Sequence, residues 1–489
     1  MGNFLLRSQA MKDRIMERWQ GAGGCAEVLQ VAFPLILSTG AHTLQMFIDR
    51  VFLMWYSSDQ MSAAMPAGIM SFTFASFFLG TVSYANTFVA QYTGADRPKR
   101  VGPAVWQSIF FALGAGVVML NLVPLANSIF NWAGHDPTIR IYEIIYFKIL
   151  VLGATPMLLS SAISSFFTGR KRTWTVLWVN LVGTAVNIVL DYCLIFGNFG
   201  FPRWGIAGAA LATVSASVVN AGIFATLFFR RENRRRYASV QGARLDRQLF
   251  GRLMRYGLPN GTQFMLEMLA FSLFITFVGR LDKVALGATS MAFQVNMLAF
   301  MPMIGLGIAL STLVGQALGK NNPRLARRST WSACYVAFGY MTLIALGFWF
   351  LPGVMLYPYA IHADQQEYSI LAPTAKVLLR FVAFYSLFDA GNIIFAAALK
   401  GAGDTRFVML MSVSMHWLLM VIPTYVAGRL GIGLYIMWTI FTAFVCVLAA
   451  AFLLRFLQGK WQKMRVIEMA PAIPLHAIPE VPTLEIDAG

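Results

Sequence analysis

Charge is scarce in this chain. Asp, Glu, Lys and Arg make up only 12% of 489 residues, while 58% are hydrophobic. A soluble protein of this length would divide into charge-surfaced domains and could not hide so much apolar area. Cysteine is also sparse: Cys25, Cys193, Cys334 and Cys446 lie scattered, with neither paired nor metal-ligand spacing, so no disulfide framework and no zinc site is supported. The five histidines (His42, His135, His362, His416, His476) are equally dispersed and lack the HExxH or HxxxxD spacing of a membrane enzyme. The stretch MGNFLLRSQAMKDRIMERWQ has no uninterrupted apolar core, so no cleavable signal is expected.

Long apolar runs are what the chain does have. A membrane span needs about 20 apolar residues, and twelve candidates run from 28–53 to 432–456, among them 65–91 and 285–315. The net charge of +17 is concentrated between them. Nine arginines fall in Arg230–Arg255, and further clusters stand at Arg97–Arg100, Arg170–Arg172, Arg324–Arg328, Lys400–Arg406 and Lys460–Arg465. Each cluster follows an even-numbered span, which by the positive-inside rule puts both termini in the cytoplasm and argues against nucleic acid as the partner of this charge.

Two stretches repeat at an offset of 225 residues: Pro34, Gln91, Gly94, Pro98 and Trp106 return as Pro259, Gln316, Gly319, Pro323 and Trp331. With six spans per repeat, the halves share one orientation, related by a pseudo-two-fold axis along the membrane normal, and a duplicated apolar domain is the mark of a secondary transporter. The expected architecture is all-α and polytopic, with twelve transmembrane helices in two six-helix lobes. Its expected parts are a cytoplasmic segment 1–27, an N-lobe 28–229, an Arg-rich linker 230–252, a C-lobe 253–456 and a disordered, proline-containing tail 457–489. Pro34 and Pro259 sit early in the first span of each half, where a missing amide hydrogen bond bends a helix.

Ionisable residues at mid-membrane cost about 2.5–3.5 kcal/mol on insertion scales, which makes them functional candidates. Glu267 lies twelve residues beyond Arg255, roughly 18 Å in at 1.5 Å per residue. Asp389 lies eleven before Lys400, about 16 Å in. Two carboxylates at one depth, if they face each other, favour one bound proton or sodium ion through repulsion and desolvation. In the first half, Asp191 and Asp49 fall nearer the outer end of their spans. Asn187 precedes Asp191 by one turn, and Thr213 on the next span could reach the same region. Asp, Asp, Asn and Thr offer oxygen ligands for a hard monovalent cation, or a proton-accepting network. His42, Gln45 and Asp49 share one helix face at i, i+3 and i+7; His42 reads either as a second titratable step or as a structural histidine. The many aromatic and methionine residues would suit flat, apolar cations where they line a cavity.

Several pieces together resemble the multidrug and toxic compound extrusion (MATE) family over roughly residues 25–456: AFPLILSTGAHTLQMFIDRVFLM, the paired G-x-x-x-P segments after spans two and eight, NIVLDYCLIFGNFG followed by GIAGAALATVSA, LPNGTQFMLE, and AALKGAGDTR. The resemblance implies a V-shaped cavity between two lobes and an antiporter that exchanges Na⁺ or H⁺ for cationic, often aromatic compounds. It implies no other cofactor, and each chain would hold a complete path and work as a monomer among membrane lipids, in a bacterial inner membrane. Asp49, Asn187, Asp191 and Thr213 match the family's amino-lobe ion site, and Glu267 and Asp389 the carboxy-lobe site of its NorM-like branch. The first-half counterpart of KGAGDTR reads TGRKRTW and lacks the GxGDT form. The alternatives are a lipid-linked saccharide flippase of the wider superfamily, which would want basic cavity residues, and a polytopic membrane enzyme.

Overall fold

The computed structural model describes residues 19–133, 136–360 and 365–468, and every regular element among them is helical. His135, His362, His476 and the tail beyond 468 lie outside the described residues. We number the spans in chain order: α1 (Cys25–Tyr56), α2 (Ser58–Gly94), α3 (Pro98–Leu120), α4 (Pro137–Leu152 continued by Ala154–Thr168), α5 (Thr173–Phe196) and α6 (Ile206–Phe228) in the first half. The second half holds α7 (Arg247–Gly279), α8 (Lys283–Gly319), α9 (Pro323–Phe350), α10 (Gln365–Ala402), α11 (Thr405–Arg429) and α12 (Leu434–Leu457). Eleven are long and apolar enough to cross a membrane as they stand, and α4 makes the twelfth as a pair bent by 41°.

Local chemistry sets the ends and bends. Pro98 and Pro323, two of the repeat markers, each open their helix, where a missing N–H costs nothing. Asp246, Asp282 and Asn322 cap α7, α8 and α9 by accepting free backbone amides. Both α1 and α7 run unbroken through Pro34 and Pro259. The bend in α4 falls at Gly153, where a Cβ would stand 2.0 Å from Val214 of α6. A second irregularity is a π-helical stretch, His416–Val421, inside α11. Helix α2 (Ser58–Gly94) starts seven residues before the apolar run 65–91, whereas α8 (Lys283–Gly319) exceeds the run 285–315 by only a few residues at each end.

Packing follows the repeat. In the first half α1 packs on α5, α2 on α4, α4 on α6 and α3 on α4; in the second α7 packs on α11, α8 on α10, α10 on α12 and α9 on α10. Contacts between the halves are reciprocal as well, α1 on α8 and α7 on α2.

The halves meet most closely at the face bearing the basic clusters. Gln91 Nε2 donates to the Gly401 carbonyl at 3.0 Å, and its repeat partner Gln316 donates to the Gly169 carbonyl at 2.7 Å. A Cβ on Gly94 would lie 2.0 Å from Gln316 O, and one on Gly319 would lie 2.2 Å from Gln91 O. Only glycine allows these backbones so close. Tyr84 Oη to Lys400 O and Asn86 Nδ2 to Thr312 Oγ1 extend the seam. Deeper in, Thr39 Oγ1 donates to Met301 O, and Phe72 meets Phe264 edge to face at 5.8 Å. These hydrogen bonds between the halves run from Thr39–Met301 to the basic face. That face is closed. The chain after α12 also belongs to it: Trp461 is fully buried, so the disordered segment expected from 457 is ordered as far as Glu468.

Candidate functional site

The first-half residues converge. Helix α1 contributes Gln45 and Asp49, α5 contributes Asn187 and Asp191, and α6 contributes Thr213. Asn187 and Asp191 are fully buried, and Gln45 and Asp49 nearly so. With its amide nitrogen toward the acids, Asn187 donates to Asp49 Oδ1 at 2.9 Å and to Asp191 Oδ2 at 3.2 Å, while its oxygen accepts the Thr213 backbone N–H at 3.3 Å. The opposite orientation would leave the oxygen facing carboxylates. The two carboxyls are within hydrogen-bonding reach of each other, and Arg50 and Tyr146 are within electrostatic reach of Asp49. Asp191 Oδ1 has no hydrogen-bond partner among the described residues. Two buried acids this close hold a cation or a proton far more readily than two negative charges. His42 stands apart: its side chain is exposed and makes no hydrogen bond among the described residues, so it does not join Gln45 and Asp49.

In the second half Glu267 (α7) and Asp389 (α10) are each half-buried and interact electrostatically across the lobe. Each is oriented by an amide that sequence reading passed over. Gln263, one turn before Glu267, donates to its Oε1 at 2.7 Å and to Ser412 Oγ on α11 at 3.1 Å. Asn392, three residues after Asp389, donates to Oδ1 at 3.5 Å and to the Val445 carbonyl on α12 at 3.3 Å. The i, i+3 and i, i+4 spacings were the available signal. Lys400, read from sequence as one of a basic cluster, lies within electrostatic reach of Glu267. Glu267 stands one turn beyond Phe264, whose ring meets Phe72 across the halves, so it lies just past the seam that closes the basic face. Among the described residues no group of three or more His, Cys, Asp or Glu could hold a metal ion.

Comparison with known proteins fits this architecture. A sequence model of the MatE family matches twice, over residues 34–193 and 259–426, one copy per half. The chain is 25% identical over 441 residues to the probable multidrug resistance protein NorM of Mesorhizobium japonicum, covering 88% of this chain and 93% of that protein. A NorM of Thermotoga maritima, also described as a probable multidrug resistance protein, is 25% identical over 449 residues, covering 90% and 94%. Among solved structures, an outward-facing multidrug resistance MATE transporter of the MOP superfamily superimposes with a TM-score of 0.82 at 17% identity, covering 91% of this chain and 98% of that one. A MOP superfamily transporter from Pyrococcus furiosus does so with 0.82 at 18% identity, covering 92% and 98%. The two relatives are named as multidrug resistance proteins, and the two solved structures as transporters. With two copies of the family's sequence pattern, one in each six-helix half, the chain belongs to the MatE family of membrane transporters.

Proposed function

We propose that the protein is a secondary antiporter that exports cationic, aromatic compounds in exchange for Na⁺ or H⁺. The observation that carries this is the pair Glu267 and Asp389: two half-buried acids within electrostatic reach of each other, each held by a buried amide, just past the Phe72–Phe264 contact between the halves. Exposure lets an ion or a cationic substrate reach the carboxylates, and burial makes them favour whichever cation is bound. A single pair of charges cannot hold both at full strength. Loading the ion therefore expels the substrate, and by linkage the substrate weakens ion binding by the same factor.

In this cycle Asp49, Asn187, Asp191 and Thr213 form a second ion-coupling cluster, and Gln45 borders it. The basic face lies in the cytoplasm with both termini, the other face opens outward, and the membrane is a bacterial inner membrane. Each chain carries both lobes, so a monomer suffices for transport.

Ethidium efflux from proteoliposomes, driven by a Na⁺ gradient and by a pH gradient in turn, tests the proposal. Efflux that follows one gradient and is lost in Asp389→Asn is the expected result. No efflux with either gradient, in folded protein, would sink it.

A further inference from the structure

The residues after α12 form a strap across the closed face. A left-handed turn at Gly459 (φ +73°) leads into a short turn, Lys460–Lys463, that stacks the buried Trp461 on Phe456 at 4.9 Å. From Met464 the chain leaves the helical fold and crosses toward the first half. Arg465 bonds Asn321 at the end of α8, and Tyr256 of α7 donates to the Arg465 carbonyl at 3.4 Å. Val466 is buried against Gly403, and its N–H donates to Gln91 Oε1 at 2.9 Å. Gln91 is thus gripped by the second half at both ends of its amide.

Glu468 then lands among donors from both halves. Tyr92 Oη donates to Oε2 at 2.7 Å and Arg100 Nε to Oε1 at 3.1 Å, while Arg97 donates to the Glu468 carbonyl at 3.1 Å. These three belong to the end of α2 and the start of α3. Arg252 of α7 bonds the same Oε2 from the second half. Arg100 also faces Asp246, the cap of α7, at 3.5 Å. One carboxylate therefore joins the lobes through charge-assisted bonds, which are stronger than neutral ones. It remains one-third exposed, so water can compete and the contact can release.

We propose that Glu468 is a positioning residue of the transport cycle, the interlobe clasp that holds the basic face closed and must let go before the cleft can open toward that face. This rests on reading the chain as an alternating-access transporter. The native Cys25 is a reporter: it is buried in the seam between α1 and α9, its Sγ against the Ser332 carbonyl at 3.7 Å. The experiment uses the full chain with Cys193→Ala, Cys334→Ala and Cys446→Ala, in lipid nanodiscs, with a membrane-impermeant maleimide. Glu468→Gln and, independently, Arg252→Ala should each raise the Cys25 labelling rate at least threefold, and Glu468→Asp should stay within twofold of the parent. Parent-like labelling in both Glu468→Gln and Arg252→Ala, with melting temperatures unchanged, would overturn the clasp. So would equal acceleration by Glu468→Asp and Glu468→Gln, because packing rather than charge would then hold the strap. Ethidium efflux by the parent is measured alongside, and its absence would count against the transport reading alone.

Discussion

The two lobes share one scaffold but carry their polar chemistry at different heights. By the 225-residue offset, Glu267 on α7 corresponds to His42 on α1, and Asp49 on α1 corresponds to Phe274 on α7. Where the first lobe places a sealed cluster of Asp49, Asn187 and Asp191, the second places rings: Phe274 packs on Phe441 at 5.0 Å, and Phe293 stacks on Trp438 at 4.9 Å. Nearer the basic face the roles reverse. There the second lobe has Glu267 with Gln263 and Ser412, and at the matching positions the first has His42 and Ser38, the latter accepting from Asn180. Gln91 and Gln316, and Gly94 and Gly319, stay matched in both identity and contact. Duplication has kept the seam that the lobes must share and let the acids diverge where each lobe is alone.

The comparison can be broken most sharply at the acids. Glu267→Gln or Asp389→Asn should each cut gradient-driven efflux at least tenfold, or about 1.4 kcal/mol of driving interaction, as measured in proteoliposomes. Asp49→Asn should instead abolish any Na⁺-dependent rise in melting temperature that survives in Asp389→Asn. If it does not, the sealed cluster binds no ion. At the seam, Gly94→Ala and Gly319→Ala should each destabilise the closed face by about 1–3 kcal/mol through overpacking, and by nearly equal amounts. Cys25 labelling reads this, and a large effect from only one of them would show the seam to be asymmetric. His42→Gln, at the position equivalent to Glu267, should change efflux less than twofold. The smallest effect concerns pH. Burial pushes the Glu468 carboxyl up, but the Tyr92 hydrogen bond and Arg252 outweigh this and hold it at about 2. A lowered value means that its stabilisation is complete above the ordinary carboxylate range and is lost progressively as pH falls from that range through about 2. The melting difference between the parent and Glu468→Gln should therefore stay constant from about pH 5 to 8.

Much of this was legible in the sequence. The twelve spans follow from apolar length, the two related halves from the repeated Gln, Gly and Pro, and the candidate acids from their cost inside a membrane. Other features were not legible because they depend on what lies across a helix interface. Gln263 and Asn392 look like ordinary polar residues until Ser412 and Val445 appear opposite them. The bend at Gly153 reflects the close approach of Val214, which no local pattern announces, whereas Pro34 and Pro259 sit in unbroken helices. His42 shares a helix face with Gln45 and Asp49 yet is exposed where they are buried. The strap was masked by composition, since the prolines beyond Trp461 read as disorder and hide the buried indole and the acid that follows it.

The unequal height of the acids has an electrical consequence. Seven residues separate the level of Asp49 from that equivalent to Glu267, roughly 10 Å of helix in a hydrocarbon core about 30 Å thick. Across a dry, occluded protein that is about a third of the voltage drop, or near 0.8 kcal/mol per elementary charge for each 100 mV. With the basic face on the negative side, the membrane potential by itself would favour a cation at Glu267 over one at Asp49 by about fourfold, so a de-energised cell would redistribute ions between the lobes before any gradient had changed.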